Sequence, residues 1–201
     1  MKNFLQKLFP ERFSKSTNKV ESNNLLLDWV EHKNYDSYTK IYDLYYKNIF
    51  LFARRMTNIT EAEDIVQDTF KVLVEQRENF RKVKNLEKYL IGIAMNCIKE
   101  LYDLKNNEFK YNVSLEEIDT VNLKSNHNPF EEIVFKEKKE LWWKAVQQLN
   151  PKYRLIYLLG FAGFTSEEIA EKLEITKKAA INIIHRSNNQ IEECFQKMLR
   201  E

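Results

Sequence analysis

The stretch EAEDIVQDTFKVLVEQRENF, residues 61–80, predicts an amphipathic helix. When the stretch is placed on a helix at about 100° per residue, its apolar residues and one threonine fall on one face. That face holds Ala62, Ile65, Val66, Thr69, Phe70, Val72 and Leu73. The polar face holds Asp64, Gln67, Asp68, Lys71 and Glu75. Thr60 and Glu63 match the T-x-x-E pattern of a capping box, which predicts that the helix begins there.

The charge of the chain reverses within this stretch. Residues 61–75 hold five carboxylates and one lysine, a net charge of −4, whereas residues 77–88 hold five cations and two carboxylates, a net charge of +3. An acidic helix that leads into a basic segment indicates two partners, one basic and one polyanionic. Because the whole chain carries a net charge of only +2, any nucleic-acid surface must be local.

Composition favours a helical protein. Three glycines and three prolines in 201 residues are few for a turn-rich β architecture, and the length suits one domain or two small ones. Cys97 and Cys194 lie far apart and outside any C-x-x-C pair, which favours buried thiols in a reduced, cytoplasmic protein. The three histidines form no ligand-spaced cluster, so we expect no metal and no other cofactor.

Two segments of this region resemble a known family. AEDIVQDTF at residues 62–70, followed by YLIGIAMN at residues 89–96, resembles region 2 of bacterial sigma factors, most closely the extracytoplasmic-function type of the sigma-70 family. The resemblance implies that the acidic helix binds the core of RNA polymerase, on a basic coiled coil of its β′ subunit. The residues that it assigns to this contact are Glu63, Asp64, Gln67, Asp68 and Lys71.

A basic loop at residues 78–85 and a helix at residues 86–105 follow the acidic helix. One side of that predicted helix carries Lys88, Ile91, Met95, Lys99 and Tyr102. Such a side suits packing against unstacked bases. Burial of this side under the linker or the amino-terminal tail explains its apolar residues equally well. The resemblance implies that this segment reads the minus-ten promoter element and holds a base flipped out of the duplex. The residues assigned to it are Asn79, Phe80, Arg81, Lys84, Lys88, Asn96 and Lys99. Tyr89 stands where the family usually has Trp, and Asp103 lies near a usually basic position.

The remaining pattern predicts four segments. Residues 1–24 form an amino-terminal tail with one short apolar turn, which is too short for a signal peptide or a membrane span. Residues 25–105 form the first domain, with a short helix starting near Leu25 and a longer one capped by Asp36 or Ser37. Residues 106–128 lack periodicity and form a linker, and residues 129–201 form the second domain.

The second domain contains the spacing of a helix-turn-helix unit. Thr165 and Glu168 match a capping box for a short helix at residues 166–173, and Thr176 caps a last helix that begins at Lys177. We expect one face of that last helix to lie in a DNA major groove, since it presents amides, cations and an aliphatic group. Its residues are Lys177, Lys178, Ile181, Asn182, His185 and Arg186.

This domain also resembles the sigma family. LNPKYR at residues 149–154 and TSEEIAEKLEI at residues 165–175 are similar to region 4, which reads the minus-thirty-five element and touches the β subunit flap. Ala180 and Ile181 depart from the usual Val followed by a basic residue. The two resemblances occur in the family's order. They predict an all-α fold of two helical domains, a region 2 bundle and a region 4 helix-turn-helix domain, joined by a flexible linker.

The predicted function is therefore that of a cytoplasmic sigma factor, which directs promoter recognition, DNA melting and initiation with core polymerase and promoter DNA as partners. The long linker would also permit an anti-sigma protein to hold the two domains. A free-standing helix-turn-helix regulator that acts without polymerase is the alternative. We expect no enzyme, because the sequence has no Gly-rich phosphate loop and no Ser/His/Asp arrangement. We also expect no membrane insertion, because the apolar run near the amino terminus is too short to span a bilayer.

Overall fold

The computed structural model describes residues 18–104 and 129–200, with side chains for 21–103 and 134–200. Within those ranges all regular secondary structure is helical, and the chain divides into two compact units. The predicted all-α fold of two helical domains is confirmed. The apolar turn of the predicted tail and the predicted linker lie outside the described residues.

The first domain contains α1 (Asn18–His32), α2 (Tyr35–Arg54), α3 (Ile59–Glu75), a 3₁₀ helix (Arg77–Lys82) and α4 (Leu86–Leu104). Helix α1 begins earlier than the predicted start near Leu25. Its early part packs on α2, because Ser22 is buried and accepts a 2.7 Å hydrogen bond from the hydroxyl of Tyr45. Residues 18–24, predicted to belong to the tail, are therefore part of the first helix.

The caps of α2 and α3 differ from the predicted ones. Asn34 caps α2 by accepting the amide N–H of Asp36, since the hydroxyl of Ser37 is already bonded to Asp28. Helix α3 begins two residues before Glu61, with Asn58 as the cap. Its capping box joins Asn58 and Glu61, with the amide N–H of Glu61 at 2.9 Å from the Asn58 side-chain oxygen. Both this pair and Thr60–Glu63 fit the box pattern, and the earlier one forms.

Helix α4 does not have the exposed apolar face that its sequence predicts. Ile91, Met95 and Tyr102 are buried, at 4%, 1% and 3% exposure. The helix packs against α1, α2 and α3 together, so apolar side chains are covered around most of its circumference. The interpretation of this face as a surface for stacked bases is therefore wrong, and its alternative as a covered face is closer to the structure.

The second domain contains α5 (Pro129–Gln147), α6 (Pro151–Phe161), α7 (Ser166–Lys172) and α8 (Lys177–Met198). Helix α8 packs against the other three helices. At the centre of this core, the ring of Trp142 meets that of Phe195 edge-on at 5.3 Å, and its indole N–H donates to the hydroxyl of Tyr157. No helix in the described part of the chain has the length and apolar character that crossing a membrane requires.

Candidate nucleic-acid and partner interfaces

The outer face of α3 is mostly polar, with Val74 as an exposed apolar residue near its end. All five residues predicted to contact a protein partner are exposed there, and they are Glu63, Asp64, Gln67, Asp68 and Lys71. The ammonium of Lys71 lies 3.9 Å from the carboxylate of Glu75, one turn further along. Four exposed carboxylates, those of Glu63, Asp64, Asp68 and Glu75, thus share one face, which suits a basic partner.

Burial of the opposite side fixes the orientation of this acidic face. Six residues of α3 are buried, namely Ala62, Ile65, Val66, Thr69, Phe70 and Leu73. Phe70 packs against Tyr42 of α2 with their ring centroids 4.6 Å apart, and Thr69 donates its hydroxyl to the carbonyl oxygen of Ile65. Rotation of α3 about its axis would expose this apolar side, so the acidic residues are held outward by the core.

The predicted basic loop is largely a 3₁₀ helix, Arg77–Lys82. Asn79, Arg81 and Lys84 are exposed on or just after it. Glu78 binds both arginines of this 3₁₀ helix. One of its carboxylate oxygens lies 3.2 Å from Nη2 of Arg77, and the other lies 2.8 Å from Nε of Arg81. The hydrogen bond from Arg81, with its positive charge, holds the pKa of Glu78 below the ordinary value.

The aromatic residue predicted for this surface does not lie on it. Phe80 is only 1% exposed, and its ring packs edge-on against Tyr89 with centroids 4.8 Å apart. The assignment of Phe80 to base stacking is corrected, because its ring attaches the 3₁₀ helix to α4. Tyr89 is 38% exposed and is the aromatic side chain that α4 presents beside this helix.

The three other predicted DNA contacts lie along α4. Asn96 is exposed, while Lys88 and Lys99 are half-buried. Asn85 fixes the start of the helix, because its side-chain oxygen accepts the amide N–H of Lys88 at 3.0 Å. The cations of this surface therefore come from two elements, the 3₁₀ helix and α4, which Phe80 joins.

The helix-turn-helix unit has the predicted caps. Thr165 and Glu168 form a capping box at the start of α7, and the hydroxyl of Thr176 accepts the amide N–H of Ala179 at the start of α8. Between the helices, Glu174 adopts a left-handed backbone conformation with φ of 53°. Its amide N–H bonds to the Glu171 carbonyl oxygen, which closes the turn.

The outer face of α8 is exposed along its first three turns. It includes every residue predicted for major-groove contact, namely Lys177, Lys178, Ile181, Asn182, His185 and Arg186. Ala180 and Ser187 are buried on the inner side, which permits close approach to the rest of the domain. Lys177 forms an ion pair with Glu167 of α7, and this bond lowers the pKa of the Glu167 carboxyl.

Sequence patterns did not reveal two further features. A cleft beside the 3₁₀ helix is lined by Trp29, Lys33, Tyr35 and residues 74–79, and the guanidinium of Arg77 lies 5.9 Å from the Trp29 ring centroid. Arg154 is buried and donates to the carbonyl oxygens of Gln147 and Leu149 at the end of α5. Both depend on contacts between separate helices, for which a helical period carries no signal.

Family models match both domains. Residues 41–106 match Sigma-70 region 2, and residues 139–187 match Sigma-70, region 4. Together the two matches cover most of α2 to α4 and the helix-turn-helix unit. No match was found among curated proteins.

Solved structures share the fold of the chain. CnrH, in a complex with the cytosolic domain of CnrY, has 16% identity and a TM-score of 0.55, over 88% of this chain and 98% of that one. The sigma factor RpoE of Bartonella quintana, in a complex with the anti-sigma factor NepR, has 19% identity and a TM-score of 0.54, over 79% and 96%. At these identities the likeness concerns the fold alone.

Proposed function

This chain belongs to the sigma-70 family of bacterial RNA polymerase sigma factors, as one of the extracytoplasmic-function type, and we propose that it binds core RNA polymerase through α3 and promoter DNA through its two basic surfaces. The observation that carries the proposal is the arrangement of exposed carboxylates on the outer face of α3 beside a separate, basic 3₁₀ helix. The work is binding rather than bond-making, and it takes place in the cytoplasm with the polymerase.

For core binding, we assign Glu63, Asp64, Gln67, Asp68 and Lys71 to a basic coiled coil of the β′ subunit. Asp64→Lys is the sharpest variant, because it reverses charge at an exposed position and leaves the buried side of α3 unchanged. Asp43→Lys on α2 is the matched control, since Asp43 is also an exposed acid. Titration of labelled protein with core polymerase should give a large loss of affinity for the first variant only. Equal affinity for both variants contradicts the assignment.

For the minus-ten element, we assign the amides and cations that remain at the surface of the first domain. They are Asn79, Arg81, Lys84, Lys88, Asn96 and Lys99. Tyr89 takes the place of Phe80 as the aromatic residue, because an exposed ring is needed to stack on an unpaired base. Melting is favoured when such contacts offset the free-energy cost of unpairing a base, which is typically about a few kcal/mol.

For the minus-thirty-five element, we assign the outer face of α8 to the major groove. Asn182 supplies an amide for base edges, Ile181 an aliphatic group for a thymine methyl, and Lys178 and Arg186 supply charge for phosphates. The first and second domains then act as two binding domains. By analogy with RpoE and NepR, an anti-sigma protein is a candidate regulator of the pair.

The decisive experiment is run-off transcription on a pooled library of upstream regions, with core polymerase in the presence or absence of this protein. New, selective transcripts are the expected result, and they identify the promoter. If no new transcripts form but the protein binds duplex DNA in the absence of polymerase, the result would instead favour a free-standing regulator. The acidic face of α3 would then remain unexplained.

A further inference from the structure

Each of the two basic surfaces contains one carboxylate that is bonded to its cations. On the 3₁₀ helix, Glu78 bridges Arg77 and Arg81 by using a different oxygen for each, at 3.2 Å and 2.8 Å. At the start of α8, the carboxylate of Glu167 is paired with the ammonium of Lys177. The two surfaces belong to different domains and use different elements, so the arrangement occurs twice independently.

The two carboxylates offer their cations the same kind of anion that a DNA phosphate would offer. A DNA phosphodiester presents one negative charge shared by two free oxygens, and a carboxylate presents the same charge on two oxygens. Guanidinium groups bind either anion through their N–H donors. A phosphate that approached Arg81 or Lys177 would therefore meet a cation already paired with a carboxylate of this chain, through Nε in the case of Arg81.

We propose that Glu78 and Glu167 act as internal substitutes for DNA phosphates. Their carboxylates hold Arg81 and Lys177 in the DNA-free protein and release them when DNA binds. This inference rests on the proposed function of the two surfaces. Its consequence is weaker binding of the free chain to DNA of arbitrary sequence, because that binding depends almost entirely on cations that contact phosphates.

The strength of the contacts suits exchange. In the two pairs that would exchange, every side chain is more than half exposed, with fractions of 62% for Glu78, 53% for Arg81, 60% for Glu167 and 59% for Lys177. Arg77, the second partner of Glu78, is 19% exposed and is not part of the exchange. Ion pairs this open to water are weak, so an incoming phosphate displaces the carboxylate at little cost. Both carboxyls have lowered pKa values, chiefly through the hydrogen bonds from Arg81 and from Lys177, so both are ionised at neutral pH.

The test compares matched variants that remove the same charge. Glu78→Gln and Glu167→Gln remove the bonded carboxylates. Glu31→Gln on α1 and Glu171→Gln on α7 are the controls, since both residues are exposed and no ion pair of either is found among the described side chains. Thermal melts of all four full-length variants establish that they are folded.

DNA binding is measured by fluorescence anisotropy with the full-length proteins, on a labelled single strand and a labelled duplex of arbitrary sequence, over a range of KCl concentrations. Glu78→Gln should bind the single strand, and Glu167→Gln the duplex, about two- to fivefold more tightly than their controls. The slope of log affinity against log salt should also steepen, by at most about 0.7 for the single strand and 0.9 for the duplex.

Two results overturn the inference. One is an equal gain for each variant and its control, since the effect would then be one of net charge alone. The other is an absence of DNA binding by wild type and variants at the lowest salt concentration. The run-off experiment tests the proposed function separately. If it gives no new transcripts while Glu78→Gln and Glu167→Gln steepen the dependence of DNA affinity on salt, the proposed function is refuted and the exchange of carboxylate for phosphate still holds.

Discussion

In the first domain, the hydroxyl of Tyr102 donates a 2.6 Å hydrogen bond to the carbonyl oxygen of Met56. Both residues are buried, and the bond joins the end of α4 to the turn that follows α2. It explains how a tyrosine is accommodated at a buried position of α4, since a buried hydroxyl needs a partner.

Tyr102→Phe should lower the free energy of unfolding of the first domain by about 1 kcal/mol, because it removes the donor and keeps the ring. Urea denaturation measures the change. Tyr35→Phe is the control, since it makes the same change at a residue that is 72% exposed. An equal, small effect for both variants would mean that the bond to Met56 contributes nothing to stability.

The turn of the helix-turn-helix unit contains local strain. Glu174 has φ of 53°, a conformation that is unfavourable for residues with a β-carbon. Glu174→Gly should therefore raise the unfolding free energy of the second domain by up to about 1 kcal/mol, with part of the gain offset by the greater freedom of glycine in the unfolded chain.

Thermal unfolding followed by circular dichroism tests this prediction, with Glu171→Gly as the control. Glu171 has a helical backbone in the last turn of α7, where glycine should lower stability by at most about 1 kcal/mol relative to alanine. The two variants make the same chemical change and should shift the melting temperature in opposite directions. A decrease for Glu174→Gly would show that its side chain matters more than its backbone strain.

The turn between α1 and α2 should respond to acid through Asp28. Its carboxylate accepts the hydroxyl of Ser37 at 2.5 Å and the side-chain amide of Asn34 at 2.7 Å. These bonds, led by that from Ser37, lower the pKa of Asp28. Since the folded pKa is then below the unfolded one, Asp28 stabilises the fold fully above its unfolded pKa, and this contribution is lost as the pH falls through the folded pKa.

Ser37→Ala should move the pKa of Asp28 back toward its ordinary value, as an NMR titration of the carboxyl carbon would record. The stability difference between wild type and variant should be largest at neutral pH and shrink as acid protonates Asp28 in both. Thr39→Ala, which alters an exposed hydroxyl that donates to the backbone of Tyr35, is the control. An unchanged titration in Ser37→Ala contradicts the account.

Sequence reasoning succeeded where one side of a helix is buried and the other is solvated. The acidic face of α3 and the outer face of α8 are such cases, and Thr176 marks the start of α8 without a competing cap. It failed for α4, because three helices cover that helix and a two-sided helical pattern no longer applies. It also misassigned Phe80, since a one-dimensional pattern does not distinguish an aromatic anchor from a surface aromatic. The cap of α3 was ambiguous, as two overlapping boxes were available.

The corrected roles of Phe80 and Tyr89 can be separated experimentally. Tyr89→Ala should weaken binding to a single strand that carries the promoter's minus-ten sequence by about 1 to 3 kcal/mol, through loss of stacking. It should also lower stability, but less than Phe80→Ala does, because the half-exposed Tyr89 ring packs edge-on against Phe80. Phe80→Ala should instead lower the stability of the domain by about 3 to 5 kcal/mol, because it empties a buried site. Full single-strand affinity in Tyr89→Ala would remove that ring from the DNA surface.

The salt dependence of duplex binding tests the groove face of α8. In the double variant Lys178→Ala, Arg186→Ala, two exposed cations are lost from a helix whose buried side is intact. With a duplex that carries the upstream element found by run-off transcription, the slope of log affinity against log salt should fall in magnitude by up to about 1.8, or 0.9 for each phosphate contact.

The control for this double variant is Lys152→Ala, Lys197→Ala, which removes two exposed cations from α6 and from the far end of α8. Both double variants lower the net charge by the same amount, so a difference between their slopes reports local phosphate contacts. Equal slopes would place the duplex elsewhere on the domain. A single-residue test of sequence reading then follows from Asn182→Ala, which should reduce discrimination against altered bases and leave the salt slope unchanged, because an amide carries no charge.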